Sequence, residues 1–301
     1  MIVNGYEIGP DANLQGANLQ GADLRRADLT RANLTRANLE RANLTHACLD
    51  GAILSGAKLF GANLEGAGLS RANLVDANGE FRKELDGYLT RTDLTSSSLE
   101  GANLTNANLK GSDLSRANLT RSNLTRANLE DANLTGTRLN SANLTNANLR
   151  DAKLNNAQME GADLTRADLS GAFLHHANLT NVILISANLT NTTLMDAVMV
   201  DANLYGAILY QANLKDAQLV RASLAHSFLK RANLTGANLF YAVLPHANLV
   251  HANLTRAKLY GSDLYQANLN FADLTDADLS LANFYDRDQR DSIPPDTSHY
   301  E

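Results

Sequence analysis

The apolar positions of this chain recur every five residues. The pattern is plain in the first units, Ala12-Asn13-Leu14-Gln15-Gly16, Ala17-Asn18-Leu19-Gln20-Gly21 and Ala22-Asp23-Leu24-Arg25-Arg26. Leu stands at positions 14, 19, 24 and onward to 279, and Phe284 takes the last place. Leu fills 50 of these 55 positions, so each departure (Gly79, Glu84, Met159, Met199, Phe284) asks for a reason. Two residues before each Leu stands Ala, or a small substitute such as Thr92, Ser112, Ser122 or Thr137.

A period of five suits neither common element. On an α-helix, five residues advance 500°, so successive Leu residues would circle the whole surface. On a flat strand, an odd period sends alternate Leu residues to opposite faces. A chain that turns a corner after every unit keeps them together. Leu and the Ala two before it then point inward and the other three residues point out. The pattern predicts a solenoid whose coils bury their faces on one another. Ala at the second inward position follows from space, since a shaft filled by Leu from four sides leaves room for little beyond a methyl group. Val182 is the largest residue there, and Met159 and Met199 are nearly volume-conserving replacements of Leu. The Asn and Asp before each Leu are expected to bond turn backbone at the corners.

The unit A-[DN]-L-x-x, repeated from about residue 10 to 285, resembles the pentapeptide repeat family. The resemblance implies an all-β fold, a right-handed quadrilateral β-helix with four units per coil and short β-bridges between coils. Leu14, Leu19, Leu24 and Leu29 would occupy the four faces of the first coil, and residue n would stack on n+20. Roughly thirteen coils at ~4.8 Å would give a rod on the order of 60 Å. The near-regular A-N-L form resembles cyanobacterial members, some of which act on heterocyst patterning through regulatory proteins. Other members mimic duplex DNA and bind DNA gyrase.

The domain reading has three parts. Residues 1–11 form an N-terminal cap, in which Ile2, Val3, Tyr6 and Ile8 are expected over the first coil. Residues 12–284 form the solenoid, with Phe284 closing the Leu column. Residues 285–301 form a polar tail containing Pro294-Pro295. Asn78 to Tyr88 is the one interruption. If it fills two faces, Gly79 leaves a void and Glu84 puts a carboxylate into an apolar shaft, at a cost of several kcal/mol. If residues 79–88 loop out, Ala77-Asn78 joins Leu89-Thr90-Arg91 as an intact unit, and burial cost favours this alternative. Phe81 and Leu85, spaced i,i+4 in that stretch, are then candidate recognition residues.

Composition narrows the function. Aromatics are 5% with no Trp, and a single cysteine, Cys48, allows no internal disulfide framework. The net charge of −6 argues against nucleic-acid binding. Residues 285–301 hold five acids and two bases, net −3, and residues 1–11 are −2, leaving −1 for residues 12–284. Such a nearly neutral body fits poorly with a DNA mimic, which needs a strongly negative rod. Arg25, Arg26, Arg31, Arg36 and Arg41 wrap all faces as a collar. No membrane-length apolar run and no basic-then-apolar leader is present, so a cytoplasmic protein without membrane contact is expected.

No nucleophile elbow, phosphate loop, dinucleotide fingerprint or zinc-protease motif occurs. His226 and His246 are expected to stack on adjacent coils with His251 on the next face, without the third ligand a metal needs. The expectation is no catalytic residue, no cofactor and no metal. The stronger lead is apolar. Outward residues after Leu become Val200, Val220, Phe240 and Tyr260 in one column, and Ile185, Tyr205, Ala225, Pro245 and Tyr265 in the neighbouring one, with Tyr241 between. Counting by twenty, Gln20, Glu40, Phe60, Glu100 and Thr120 are the equivalents nearer the start. Val200, Tyr205, Val220, Phe240, Tyr241, Tyr260 and Tyr265, with Phe81 and Leu85, are thus the candidate surface for an unidentified protein partner, or for end-to-end or face-to-face self-association.

Overall fold

The computed structural model describes residues 1–59, 61–74 and 92–285. The chain opens with an antiparallel hairpin, β1 (Ile2–Val3) and β2 (Tyr6–Glu7), pairing Ile2 with Glu7 and Val3 with Tyr6. Asn4 and Gly5 make its turn at φ 49° and 82°. Positive φ at both central residues is the two-residue hairpin turn that Asn-Gly favours.

From Asn13 onward the chain winds into a four-sided solenoid. Each unit contributes one parallel bridge at its Asn position to the residue twenty further on: Asn13 to Asn33, Asn18 to Asn38, Asp23 to Asn43, Asp28 to Cys48. Around each bridge the Leu N–H donates to the next coil, as from Leu14 to Asn33 O at 2.7 Å, and Asn33 N–H donates back to Ala12 O at 2.8 Å. The corner is a β-turn closed by the next Ala, whose N–H donates to the Leu carbonyl, as Ala27 does to Leu24 at 3.0 Å. The second residue after Leu adopts the left-handed conformation, from Arg26 at 56° to Leu281 at 57°. Asn or Asp secures the corner, as expected. Asn33 Oδ1 accepts from both the N–H of Thr35 at 3.1 Å and its hydroxyl at 2.6 Å.

The shaft is as the pattern predicts. Among the described residues the inward Leu and Ala side chains from Leu14 to Leu264 are buried, and so are Met159, Met199 and Val182. Where Ser or Thr replaces Ala, the hydroxyl mostly finds a carbonyl. Ser122 donates within its own coil to Leu119 O at 2.7 Å, and Thr137 donates to Leu114 O of the preceding coil at 2.8 Å.

Across the interruption the pairing interval changes. Asn63 bridges Asp93, Gly68 bridges Ser98 and Asn73 bridges Asn103, a separation of thirty. The Thr92 hydroxyl reaches Leu59 O, ten residues further back in sequence than the equivalent bond of Thr137. Residues 79–88, with the candidates Phe81 and Leu85, lie outside the described residues. The interval corrects one expectation. A shift of ten residues is two faces, so Gln20 and Glu40 do not share a column with Glu100 and Thr120, and Phe60 lies outside the described residues. The column below those two is Thr30, Asp50 and Ser70, shown by the bonds Arg31 N to Asp50 O, Gly51 N to Ser70 O and Arg71 N to Glu100 O.

The two ends differ. At the start Ile8 is buried, Val3 and Tyr6 pack on the core, and the Tyr6 hydroxyl accepts from Asn18 N–H at 3.2 Å. Ile2, expected in the cap, points away and is 79% exposed, because the hairpin's pleat alternates sides. At the far end Phe284 packs against the core in the last place of its column, over the buried Leu264. It is partly buried, as are Ala267, Leu269, Ala272, Leu274, Ala277, Leu279 and Ala282 of the last described coil.

Candidate interaction surface

The coils around residues 198–271 present four faces, named here by their inward residues. The first holds Met199, Leu219, Leu239 and Leu259; the second Leu204, Leu224, Leu244 and Leu264; the third Leu209, Leu229 and Leu249; the fourth Leu214, Leu234 and Leu254. The two residues after each inward residue make the corner to the next face.

At the corner between first and second faces, Val200, Val220, Phe240 and Tyr260 stack in register. Their carbonyls accept in turn from Asn181, Asp201, Arg221 and Tyr241. Phe240 and Tyr260 have ring centroids 5.7 Å apart, and Tyr241 meets Tyr260 edge-on at 5.7 Å. Tyr241 lies along the rod over Gly261, where a Cβ would come within 2.6 Å of its ring. Glycine at 261 therefore makes room for the tyrosine. Beside this column Arg221 clamps Asp201 through two bonds of 2.7 and 2.5 Å. That guanidinium holds the Asp201 carboxyl below its usual range.

At the corner between second and third faces a second ladder runs up the rod. Tyr205 packs edge-on against His226 at 5.3 Å, His226 stacks nearly parallel on His246 at 4.8 Å, and His246 meets Tyr265 edge-on at 5.5 Å. The expected stacking of His226 on His246 is thus present, and His251 stacks instead on Phe271 at 5.0 Å. Asn203, Ser223, Val243 and Asp263 form the strip of the second face between the two ladders.

The structure brings the seven candidates after residue 198 onto two neighbouring corners: Val200, Val220, Phe240, Tyr241 and Tyr260 on one, Tyr205 and Tyr265 on the other. Sequence reasoning missed Ile208 and Phe228, bridged to each other on the third face and both exposed. Their signal was present, since both stand where the repeat puts Asn. It also missed that His226 and His246 belong to the aromatic surface. The fourth face stays polar, with Asn213, Lys215, Asn233, Thr235, Asn253 and Thr255. Among the described residues no three His, Cys, Asp or Glu side chains are placed to share a metal ion. No helix among them is long and apolar enough to cross a membrane.

These features define a four-sided repeat solenoid with an aromatic surface on its later coils. The chain belongs to the pentapeptide repeat family. The family model, described as pentapeptide repeats, matches in eight copies at residues 11–45, 37–76, 88–126, 127–166, 142–181, 177–216, 217–256 and 247–286. The fold is therefore the right-handed quadrilateral β-helix, and the chain falls among structural and regulatory proteins, not catalysts. Similar solved structures include HetL, a pentapeptide repeat protein involved in heterocyst differentiation regulation from the cyanobacterium Nostoc sp. strain PCC 7120. It is 30% identical with a TM-score of 0.31, and the match covers 90% of each chain. Rfr23, from the cyanobacterium Cyanothece 51142, is 30% identical over 41% of this chain and 64% of its own, with a TM-score of 0.21. QnrB1, a plasmid-mediated fluoroquinolone resistance protein, is 19% identical over 65% of this chain and 86% of its own, with a TM-score of 0.37. A search of curated proteins finds no match.

Proposed function

We propose that this chain is a regulatory scaffold that binds a partner protein through the aromatic surface on the first, second and third faces of its later coils. The observation behind this reading is a segregation. Of the large apolar side chains exposed among the described residues, all but Met1, Ile2 and Ile53 lie beyond residue 170. A repeat that keeps its outer positions polar elsewhere has relaxed that rule on one stretch of the rod, where an interface has a use for aromatic anchors. The similarity to HetL supports a regulatory setting. The alternative, a DNA mimic aimed at DNA gyrase, is less favoured because residues 12–284 carry a net charge of only −1.

Tyr205→Ser with Tyr241→Ser removes one exposed anchor from each ladder. Capture of the partner from the native host should fall at least tenfold, as the loss of anchors worth about 2 kcal/mol each implies. Thr235→Ser with Thr255→Ser on the polar face should bind as the parent does. Equal capture by both pairs would remove the aromatic surface as the interface. Inhibition of gyrase supercoiling by the purified protein would favour the DNA-mimic alternative.

A further inference from the structure

The corner between the first and second faces can be followed coil by coil from the start of the rod to its later part. The second residues after Leu form an unbroken column there, from Arg31 through Gly161 to Tyr241, each N–H donating to the coil above. Counted outward from Gly161 in both directions, the column is complementary to itself. One coil out stand two short polar residues, Ser141 and Asn181. Two coils out stand Arg121 and Asp201, of opposite charge. Three coils out Gly101 matches Arg221, and four coils out Arg71 matches Tyr241. Five coils out both residues are glycine, Gly51 and Gly261.

The long side chains of this column lie along the rod. The Arg71 stem passes over Gly101, where a Cβ would stand 3.7 Å from it, as the Tyr241 ring passes over Gly261. Arg71, Arg121 and Tyr241 are all exposed. An open depression of about 580 Å³ is lined by Arg31, Arg71 and Arg121 together with Gly51 and Gly101. A guanidinium can stack its flat face on a tyrosine ring while its edge bonds a carboxylate. Asp201 already accepts from Arg221, and a carboxylate's two oxygens have capacity for a second donor. A two-fold axis sets residue i of one copy on residue j of the other and j on i, so one self-complementary column supplies both halves of an interface.

We propose that two copies of this chain pair antiparallel along this corner, about a two-fold axis at Gly161, with Arg71 of each stacked on Tyr241 of the other and Arg121 of each beside Asp201 of the other. Glycine at the axis lets the two backbones approach. Glu160, exposed next to Gly161, then flanks the axis in both copies, so its charge opposes the pairing. The pairing covers the Tyr241 corner and leaves the Tyr205–His226–His246–Tyr265 ladder open. It goes beyond capture of a partner protein and does not depend on it.

Sedimentation equilibrium of the purified full chain tests the pairing. The parent should dimerise. Arg71→Ala with Arg121→Ala should weaken the dimer at least tenfold, and Asp201→Ala with Tyr241→Ala should do the same. An equal mixture of the two variants should associate more tightly than either alone, because the mixed dimer keeps one complete set of contacts. That recovery also requires both variants to be folded. Glu160→Gln should tighten the dimer. A parent that stays monomeric at roughly millimolar concentration would overturn the proposal. So would variants that dimerise as the parent does, a mixture no tighter than its components, or a dimer weakened by Glu160→Gln. Arg71→Ala with Arg121→Ala leaves every aromatic ring in place, and no other protein is present, so this reading and capture by the Tyr205/Tyr241 comparison fail separately.

Discussion

The coils before residue 74 and those between 198 and 271 share one interior and differ in surface. Leu34 and Leu234 are equally buried, and the corner residues Arg31 and Arg231 have φ of 57° and 61°. On the earlier coils the corners carry Arg31, Arg36 and Arg41, each followed twenty residues on by Gly51, Gly56 and Gly61, over which the arginine stems lie. On the later coils the same device seats Tyr241 over Gly261, and aromatic rings replace arginine stems along two corners. The inward Leu and Ala are fixed by the shaft in every unit and therefore carry fold alone. The residues after Leu face only a backbone requirement at the corner, and it is there that one part of the rod was free to become aromatic.

The largest effect should come from breaking what the two regions share. Leu144→Lys buries an unpaired ammonium in the shaft, at several kcal/mol, and should unfold the neighbouring coils. Thr145→Lys removes only the hydroxyl bond to Asn143 Oδ1 at 2.6 Å, about 0.5–1.5 kcal/mol. Thermal unfolding followed by circular dichroism should separate the two variants widely. Similar midpoints would refute the inward and outward assignment for every coil.

The two ends sharpen the comparison next. Ile8 is buried under the hairpin, and Ile8→Ala should cost about 2–4 kcal/mol, localised at the first coil. Hydrogen exchange should then quicken at the amides of Leu14, Leu19 and Leu24 and stay unchanged at Leu144 and Leu149. Uniform acceleration along the rod would mean that the hairpin sets global stability and that the coils do not open independently.

Nearly all of the shaft was legible, because a five-residue register written dozens of times leaves no ambiguity about which side chains face in. The start is less legible. Hydrophobicity alone suggests a capping role for Ile2, whereas the pleat of a two-residue strand turns it outward. The surface columns were legible only after the interruption. Numbering by twenty fails across a pairing interval of thirty, which misplaces Gln20 and Glu40. Ile208 and Phe228 are hard to read from sequence because they stand at the Asn position, whose usual side chain serves the corner backbone and is half-buried, so the repeat itself assigns that position to conformation.

That interval gives a third prediction. Deleting residues 79–88 should restore a separation of twenty across the join and shorten a connection, which changes loop-closure entropy by about 0.5–1 kcal/mol. The variant should keep its β circular dichroism and melt at or slightly above the parent. Aggregation or loss of the β signal would contradict the pairing interval of thirty, by which these ten residues are additional to a four-unit coil.

The smallest effect concerns one exposed ion pair from each region, Arg25 with Asp23 and Arg221 with Asp201. The hydrogen bonds from Arg25 bring the Asp23 carboxyl down to about 2, and Arg221 lowers Asp201 in the same way. A carboxyl depressed in the folded chain stabilises it above the unfolded value of about 3.9 and loses that contribution as pH falls through the folded value. Asp23→Asn should therefore melt slightly below the parent at pH 7, and the gap should close between pH 4 and 2. Both pairs face solvent, so raising the salt to 1 M at pH 7 should close most of the same gap. The asparagine keeps an oxygen to accept the Arg25 N–H, the bond Asp23 makes at 3.2 Å, so the substitution changes charge and leaves the corner bond common to both regions in place. A gap that persists undiminished at pH 2 would overturn the carboxylate's charge as its source.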